Sequence, residues 1–160
     1  MTIRNISESF DTKKFTVAII VFLFCTGVSP QSISKHELPV IIKNAWVRPA
    51  AEHANSAIYF SIENKSAKAD TLLKVKSNAA EIVQIHESYK KDNDKMGMRE
   101  VKFIAIQPKS KFEFKPGGFH VMLINLSCDV KIGSYLEATL VFKHAGKIKI
   151  KAAVQDVPGM

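Results

Sequence analysis

The sequence predicts an all-β fold, an antiparallel sandwich or barrel, on three observations. Apolar and polar residues alternate in about nine short runs at roughly ten-residue spacing, separated by turn residues. No stretch carries a helical period, apart from a possible turn near Asn78–Ala80. The connections are too short for parallel crossovers, so the pairing should be mainly antiparallel. At 160 residues the chain is one domain in size, and its 46% apolar and 24% charged content is that of a globular protein.

The strands follow in order. VIIKNAWV (40–47) and AIYFSIEN (57–64) are rich in β-branched and aromatic residues, and ENKSAKAD marks the turn after them. TLLKVKS (71–77) and EIVQIHES (81–88) alternate in polarity. KKDNDK reads as a hairpin turn into MREVKFIAI (98–106). PKS, then KFEFK (111–115), then KPGG lead into FHVMLINL (119–126), with Gly117 and Gly118 free to take φ > 0. KIGS precedes YLEATLVFK (135–143), and HAGK precedes GKIKIKAAV (146–154).

The N-terminus reads as a leader. Lys13 and Lys14 precede FTVAIIVFLFCTGV, an uncharged run of about 14 residues, followed by small and polar ones. That is a secretory signal pattern, short of the ~20 residues a membrane span needs. Cleavage is expected between Gly27 and Ser34, which would make the protein secreted; an uncleaved N-terminal anchor is the alternative. The chain thus divides into 1–34, signal peptide or anchor with leader, and 35–160, a single β domain. Bulky Phe24 before Cys25 counts against lipoprotein processing there. With Cys25 removed, Cys128 is alone, so no internal disulfide is expected and the core must hold the domain. A lone cysteine reads as a small buried hydrophobe, with a metal ligand or exchangeable thiol as the functional alternative.

The chain has 23 Lys and Arg against 15 Asp and Glu, a net charge of +8. Lysines at KVK and KIKIK fall on the solvent side of strands, and no nucleic-acid motif accompanies them. Such a face can still attract anionic lipid or an acidic partner. No nucleophile–base pair, phosphate loop or HExxH run suggests an enzyme.

The informative pattern is sparse: His86, then Met96 and Met98, then His120 and Met122. Thioether and imidazole form a soft ligand set, and soft sulfur selects Cu(I). The KKDNDK turn folds His86 back towards Met96 and Met98. The i and i+2 spacing puts His120 and Met122 on one face of a strand. Two hairpin-linked pieces could therefore offer two nitrogens and two sulfurs to one point. Met98 shares its face with Glu100 and Lys102, an unusual setting for a hydrophobe without a role. Taken singly, each of these residues also fits a core or surface position.

From Ala45 onward the chain resembles the periplasmic copper chaperones of the PCuAC family. AWVRP (45–49), YFSIEN (59–64), MGMR (96–99) and PGGFHVML (116–123) carry the resemblance. The family pattern is a histidine, about ten residues, a methionine, twenty-one residues, then His-x-Met. Residues 99–119 supply the twenty-one, and His120-Val121-Met122 completes it. The first gap, 87–97, is one residue longer than the pattern, and Ser88 stands where a second methionine is frequent. The sequence closes QDVPGM, without the His/Met-rich tail that gives some relatives a second, Cu(II) site.

The resemblance implies a cupredoxin-like Greek-key β-barrel that binds Cu(I) through His86, Met98, His120 and Met122, with Met96 as an auxiliary. It also implies delivery towards the CuA centre of cytochrome c oxidase, with subunit II or a Sco-type thiol protein as acceptor. A shallow, partly accessible site rimmed by residues such as Phe119 is expected, with affinity falling below about pH 6 as the imidazoles protonate. Trp46 reads as core or site-flanking, and Arg48 as a partner for a carboxylate. His36, His53 and His144 read as solvated, Glu87 as facing away from His86, and Met160 as terminal. The competing readings are a metal-free β-sandwich interaction module and a blue-copper electron carrier. The latter needs a thiolate with two histidines, and Cys128 follows His120 and Met122 in the wrong order.

Overall fold

The computed structural model describes residues 39–91 and 95–156. The expected leader, with Cys25 and His36, lies outside the described residues, as do the tip of the KKDNDK turn and Met160. Ten strands form: β1 (Val40–Val47), β2 (Ser56–Asn64), β3 (Asp70–Lys76), β4 (Ala80–Lys90), β5 (Met96–Glu100), β6 (Ile104–Ile106), β7 (Lys111–Phe114), β8 (Phe119–Leu126), β9 (Tyr135–Phe142) and β10 (Lys147–Val154). There is no helix among the described residues. The all-β, cupredoxin-like expectation holds.

Eight of the nine expected strands coincide with the observed ones to within two residues. The ninth, 98–106, is two strands: β5 extends the edge of β4, whereas β6 pairs with β3. The chain leaves one layer for the other at Val101–Phe103, after the Val101 amide has donated to the Ile85 carbonyl (2.7 Å). Alternation alone does not reveal that exit, because both halves keep the same periodicity.

The strand order is β5-β4-β8-β2-β1-β10-β9-β3-β6, with β7 added beside β2. Every pair is antiparallel except β1 with β10, where Trp46 and Val47 run parallel to Ala153 and Val154. β1 thereby links a β5-β4-β8-β2 layer to a β10-β9-β3-β6 layer. Ile58, Ile62, Leu72, Ile106, Leu123, Leu126 and Leu140 are fully buried between them, each stabilising by about 1.5–3 kcal/mol relative to exposure. Buried Asp70 fastens the layer edge: its carboxylate accepts from the amides of Thr71, His144 and Ala145 (2.6, 2.9 and 2.8 Å).

Two bulges set which side chains face outward. In β1 one extra residue falls between Lys43 and Trp46, and Asn44 takes the left-handed conformation there (φ 52°). Ile42 and Val47 both point to the core as a result, and Trp46 is turned to the outer face. In β3 the extra residue falls between Leu72 and Lys74, so Leu72 and Val75 point inward and Lys74 and Lys76 outward.

Candidate metal centre

β4 and β8 pair so that His86 and His120 are directly opposite, with Gln84 opposite Met122. β5 pairs with the other edge of β4, placing Met98 opposite Ser88 and Glu100 opposite His86. Strand alternation then gives Gln84, His86, Ser88, Met98, Glu100, His120 and Met122 a common face. The opposite face of the same strands carries Ile85, Val121 and Leu123 into the core. Tyr59 of β2 and Trp46 of β1 continue the outer face, their rings stacked at 4.4 Å and 29°. Met98, His120 and Met122 line one cavity of about 410 Å³, together with Tyr59, Ser88 and Arg48. The His86 ring stands beside it, 5.9 Å and 63° from the ring of His120.

The approach to β8 is a tight turn. Gly118 N–H donates to the Lys115 carbonyl (3.0 Å), and Gly117 carries φ +75° after Pro116. Proline then glycine at the central positions is the type II arrangement. Of the two glycines free to take a positive φ, only Gly117 does so. β7 and β8 do not form a hairpin either: β7 pairs with Phe60–Glu63 and β8 with Ser56–Ile58 of the same strand. The site is thus one hairpin, β4–β5, laid beside β8.

Hydrogen bonds fix both imidazoles. His120 is buried, 5% exposed, and its Nδ1–H donates to the Gly118 carbonyl (3.0 Å). A carbonyl can only accept, so in the neutral ring the lone pair is on Nε2. His86 Nε2–H donates to Gln84 Oε1 (3.0 Å), which leaves the lone pair on Nδ1. That atom is buried with no hydrogen-bond partner, a state that costs about 1–3 kcal/mol unless something binds it. Burial pushes the His86 imidazole below its ordinary range; His120 adds to this and Glu100 opposes it. The hydrogen bonds therefore leave His86 Nδ1 and His120 Nε2 as the ring nitrogens open to a metal beside two thioethers, a chemistry that fits Cu(I). Among the described residues no three His, Cys, Asp or Glu side chains cluster as an alternative metal site.

Met98 stands at the open end of the cavity, 62% exposed, with Met96 beyond it at 56%; Met96 does not line the cavity. Gly97 separates them because Tyr89 lies over its backbone: a Cβ there would fall 2.8 Å from Tyr89 Cζ. On that reverse face Glu87 pairs with Arg99 (2.7 Å), away from His86 as expected.

Three expectations are corrected. Phe119 is not a rim residue: it points to the other face and packs on Phe112 at 5.1 Å. Cys128 is exposed and not buried; it lines a separate cavity with Ser77, Tyr135 and Leu136, so a blue-copper ligand set does not assemble. Arg48 makes no side-chain pair with a carboxylate among the described residues, and lines the cavity instead. Trp46 is site-flanking, half-buried over Tyr59. His53 and His144 are exposed. Sequence reasoning missed Gln84 and Tyr59. Gln84 had a signal, lying two residues before His86 on the same strand face, whereas Tyr59 is placed only by the β2–β8 register.

Comparison with known proteins identifies the fold and the family. The PCuAC domains of PmoF2, in its copper-bound form, and PmoF1, in its apo form, are each 29% identical to the chain. They cover 74% of it and 94% and 95% of the respective domains, with TM-scores of 0.61 and 0.63. The fold is therefore that of a PCuAC domain. The protein called "Putative lipoprotein Lxx21020" from Leifsonia xyli subsp. xyli (strain CTCB07) is 29% identical over 151 residues, 90% of each chain. The family model "Putative lipoprotein LpqE-like" matches residues 40–154, every strand from β1 to β10, and the chain belongs to that LpqE-like family.

Proposed function

We propose that this protein is an exported Cu(I) carrier that holds one copper ion through His86, Met98, His120 and Met122 and passes it to a partner. The observation that carries the reading is the pair of unpartnered imidazole lone pairs, His86 Nδ1 and His120 Nε2, set beside two thioethers on one sheet face. Thioethers bind without losing a proton, and burial disfavours the protonated form of His86, so loading there requires little proton release. Ligand exposure is graded, from buried His120 to exposed Met98. An incoming ligand can displace Met98 first, while the histidines keep the ion from bulk water. The copper-bound PmoF2 domain and the lipoprotein relatives support a copper role and export. We place the protein in the periplasm, as a carrier and not a catalyst. The CuA centre of cytochrome c oxidase is the proposed destination, reached directly at subunit II or through a Sco-type thiol protein.

Anaerobic Cu(I) titration against a chromophoric competitor tests binding. One equivalent should bind, and Met98→Leu with Met122→Leu should abolish tight binding. Absence of stoichiometric binding, or binding indifferent to both substitutions, would favour a metal-free interaction module. X-ray absorption of the Cu(I) form should count two nitrogen and two sulfur neighbours. Mixing the loaded protein with a copper-free CuA domain and following the CuA absorption tests the destination.

A further inference from the structure

The outer face of the second layer carries a grid of lysines. Lys74 of β3 and Lys147 of β10 both flank Val141 of β9; Lys76 and Lys149 both flank Thr139; Lys151 is opposite Glu137. Residues two apart on a strand are about 7 Å apart, and strands flanking a shared neighbour are about 10 Å apart. Lys151 lies 3.6 Å from Glu137. Lys74, Lys76, Lys147 and Lys149 have no side-chain partner among the described residues. The β3 bulge is what brings Lys74 and Lys76 to this side. At the end of the same face Tyr135 is 70% exposed, and the turn that leads into it carries Ile132, 62% exposed. The metal centre is on the outer face of the other layer, across the shared core.

We propose that this lysine face docks the protein on an anionic phospholipid surface, independently of copper. The charge is spread over a flat pleated sheet, which suits a field of headgroups better than one carboxylate. A tyrosine at its edge and an exposed isoleucine in the adjoining turn supply the amphipathic and apolar contacts that favour a membrane–water interface over an acidic protein. Docked this way, the domain holds its metal cavity away from the lipid and open to a partner.

The test uses the full chain with preformed vesicles of phosphatidylcholine alone or with about one-third phosphatidylglycerol, separated by sedimentation. The N-terminal apolar run is common to all variants, so the readout is the preference for anionic over neutral vesicles. Each lysine at an anionic surface contributes about fivefold at low salt. Lys76→Glu, Lys147→Glu and Lys149→Glu together remove three attractions and add three repulsions, and should therefore cut the preference by more than about 100-fold, and salt should erase it in the parent chain. A charge-matched control, Lys65→Glu, Lys102→Glu and Lys115→Glu, should keep most of it. Tyr135→Ala with Ile132→Ala should weaken anionic binding further than charge explains. Equal losses in the two triple variants, or no preference in the parent chain, would overturn the proposal. Unchanged Cu(I) titration in the face variant would show that its fold is intact.

Discussion

His86 and His120 face each other across the β4–β8 ladder, each with one ring nitrogen fixed by a hydrogen bond and the other left with a bare lone pair. The fixing groups differ. For His120 it is a backbone carbonyl that no substitution removes, and for His86 it is the Gln84 side chain. Gln84→Leu should free the His86 ring to rotate or change tautomer. Partners of this kind are worth about 10–100-fold in metal affinity. We expect a loss in that range for Cu(I), with the folded spectrum unchanged, in a competition titration.

The two methionines proposed as ligands should differ in reactivity. Met98 is 62% exposed and Met122 is half-buried. Under limiting peroxide, peptide mapping should find the sulfoxide at Met96 and Met98 well before Met122. Oxidation replaces soft sulfur by hard oxygen at Met98, so Cu(I) affinity should fall with that first wave. Prior copper loading should protect Met98 more than Met96.

Burial lowers the His86 pKa, with His120 reinforcing the shift and Glu100 opposing it. The unfolded chain takes up this proton near 6.5, and the folded protein only at lower pH. Above 6.5 neither state is protonated and stability is unaffected. As pH falls through 6.5 the unfolded state gains a proton that the folded state lacks, so stability declines until the folded value is reached. Thermal melts from pH 7.5 downward should show this decline, and His86→Gln should flatten it. Proton competition at His86 should likewise begin at lower pH than for an ordinary histidine, and Glu100→Gln should move it lower still.

Gly97→Ala tests the hairpin. The new methyl meets Lys91 Cε at 2.7 Å and Tyr89 Cζ at 2.8 Å. The lysine end can move, but Tyr89 must swing off the backbone and away from Arg99, whose guanidinium lies 5.4 Å from the ring centre. Losing that cross-strand packing should cost about 1 kcal/mol and lower the melting temperature by a few degrees. Met98 shifts with its strand, so Cu(I) affinity should drop, though less than in Met98→Leu.

Much of this was legible before any coordinates. Polarity alternation located the strands, and the spacing of His120 and Met122 put both on one face. What stayed hidden depends on pairing between distant segments. That β5 and β6 are separate strands is decided by their different partners, β4 and β3, and not by any residue in MREVKFIAI. The outward turn of Trp46 depends on one surplus residue near Asn44, which shifts the alternation by one place. The wrong side for Phe119 has a plainer cause. It alternates with His120, so once the histidine is given to the site the phenylalanine belongs to the core.

Trp46 is the single tryptophan of the chain. It lies flat on Tyr59, whose ring centre is 6.4 Å from that of His120. Indole emission is therefore an optical gauge built into the domain. Its intensity should change as copper arrives and return as copper leaves, so transfer to an acceptor can be timed by stopped flow without a label.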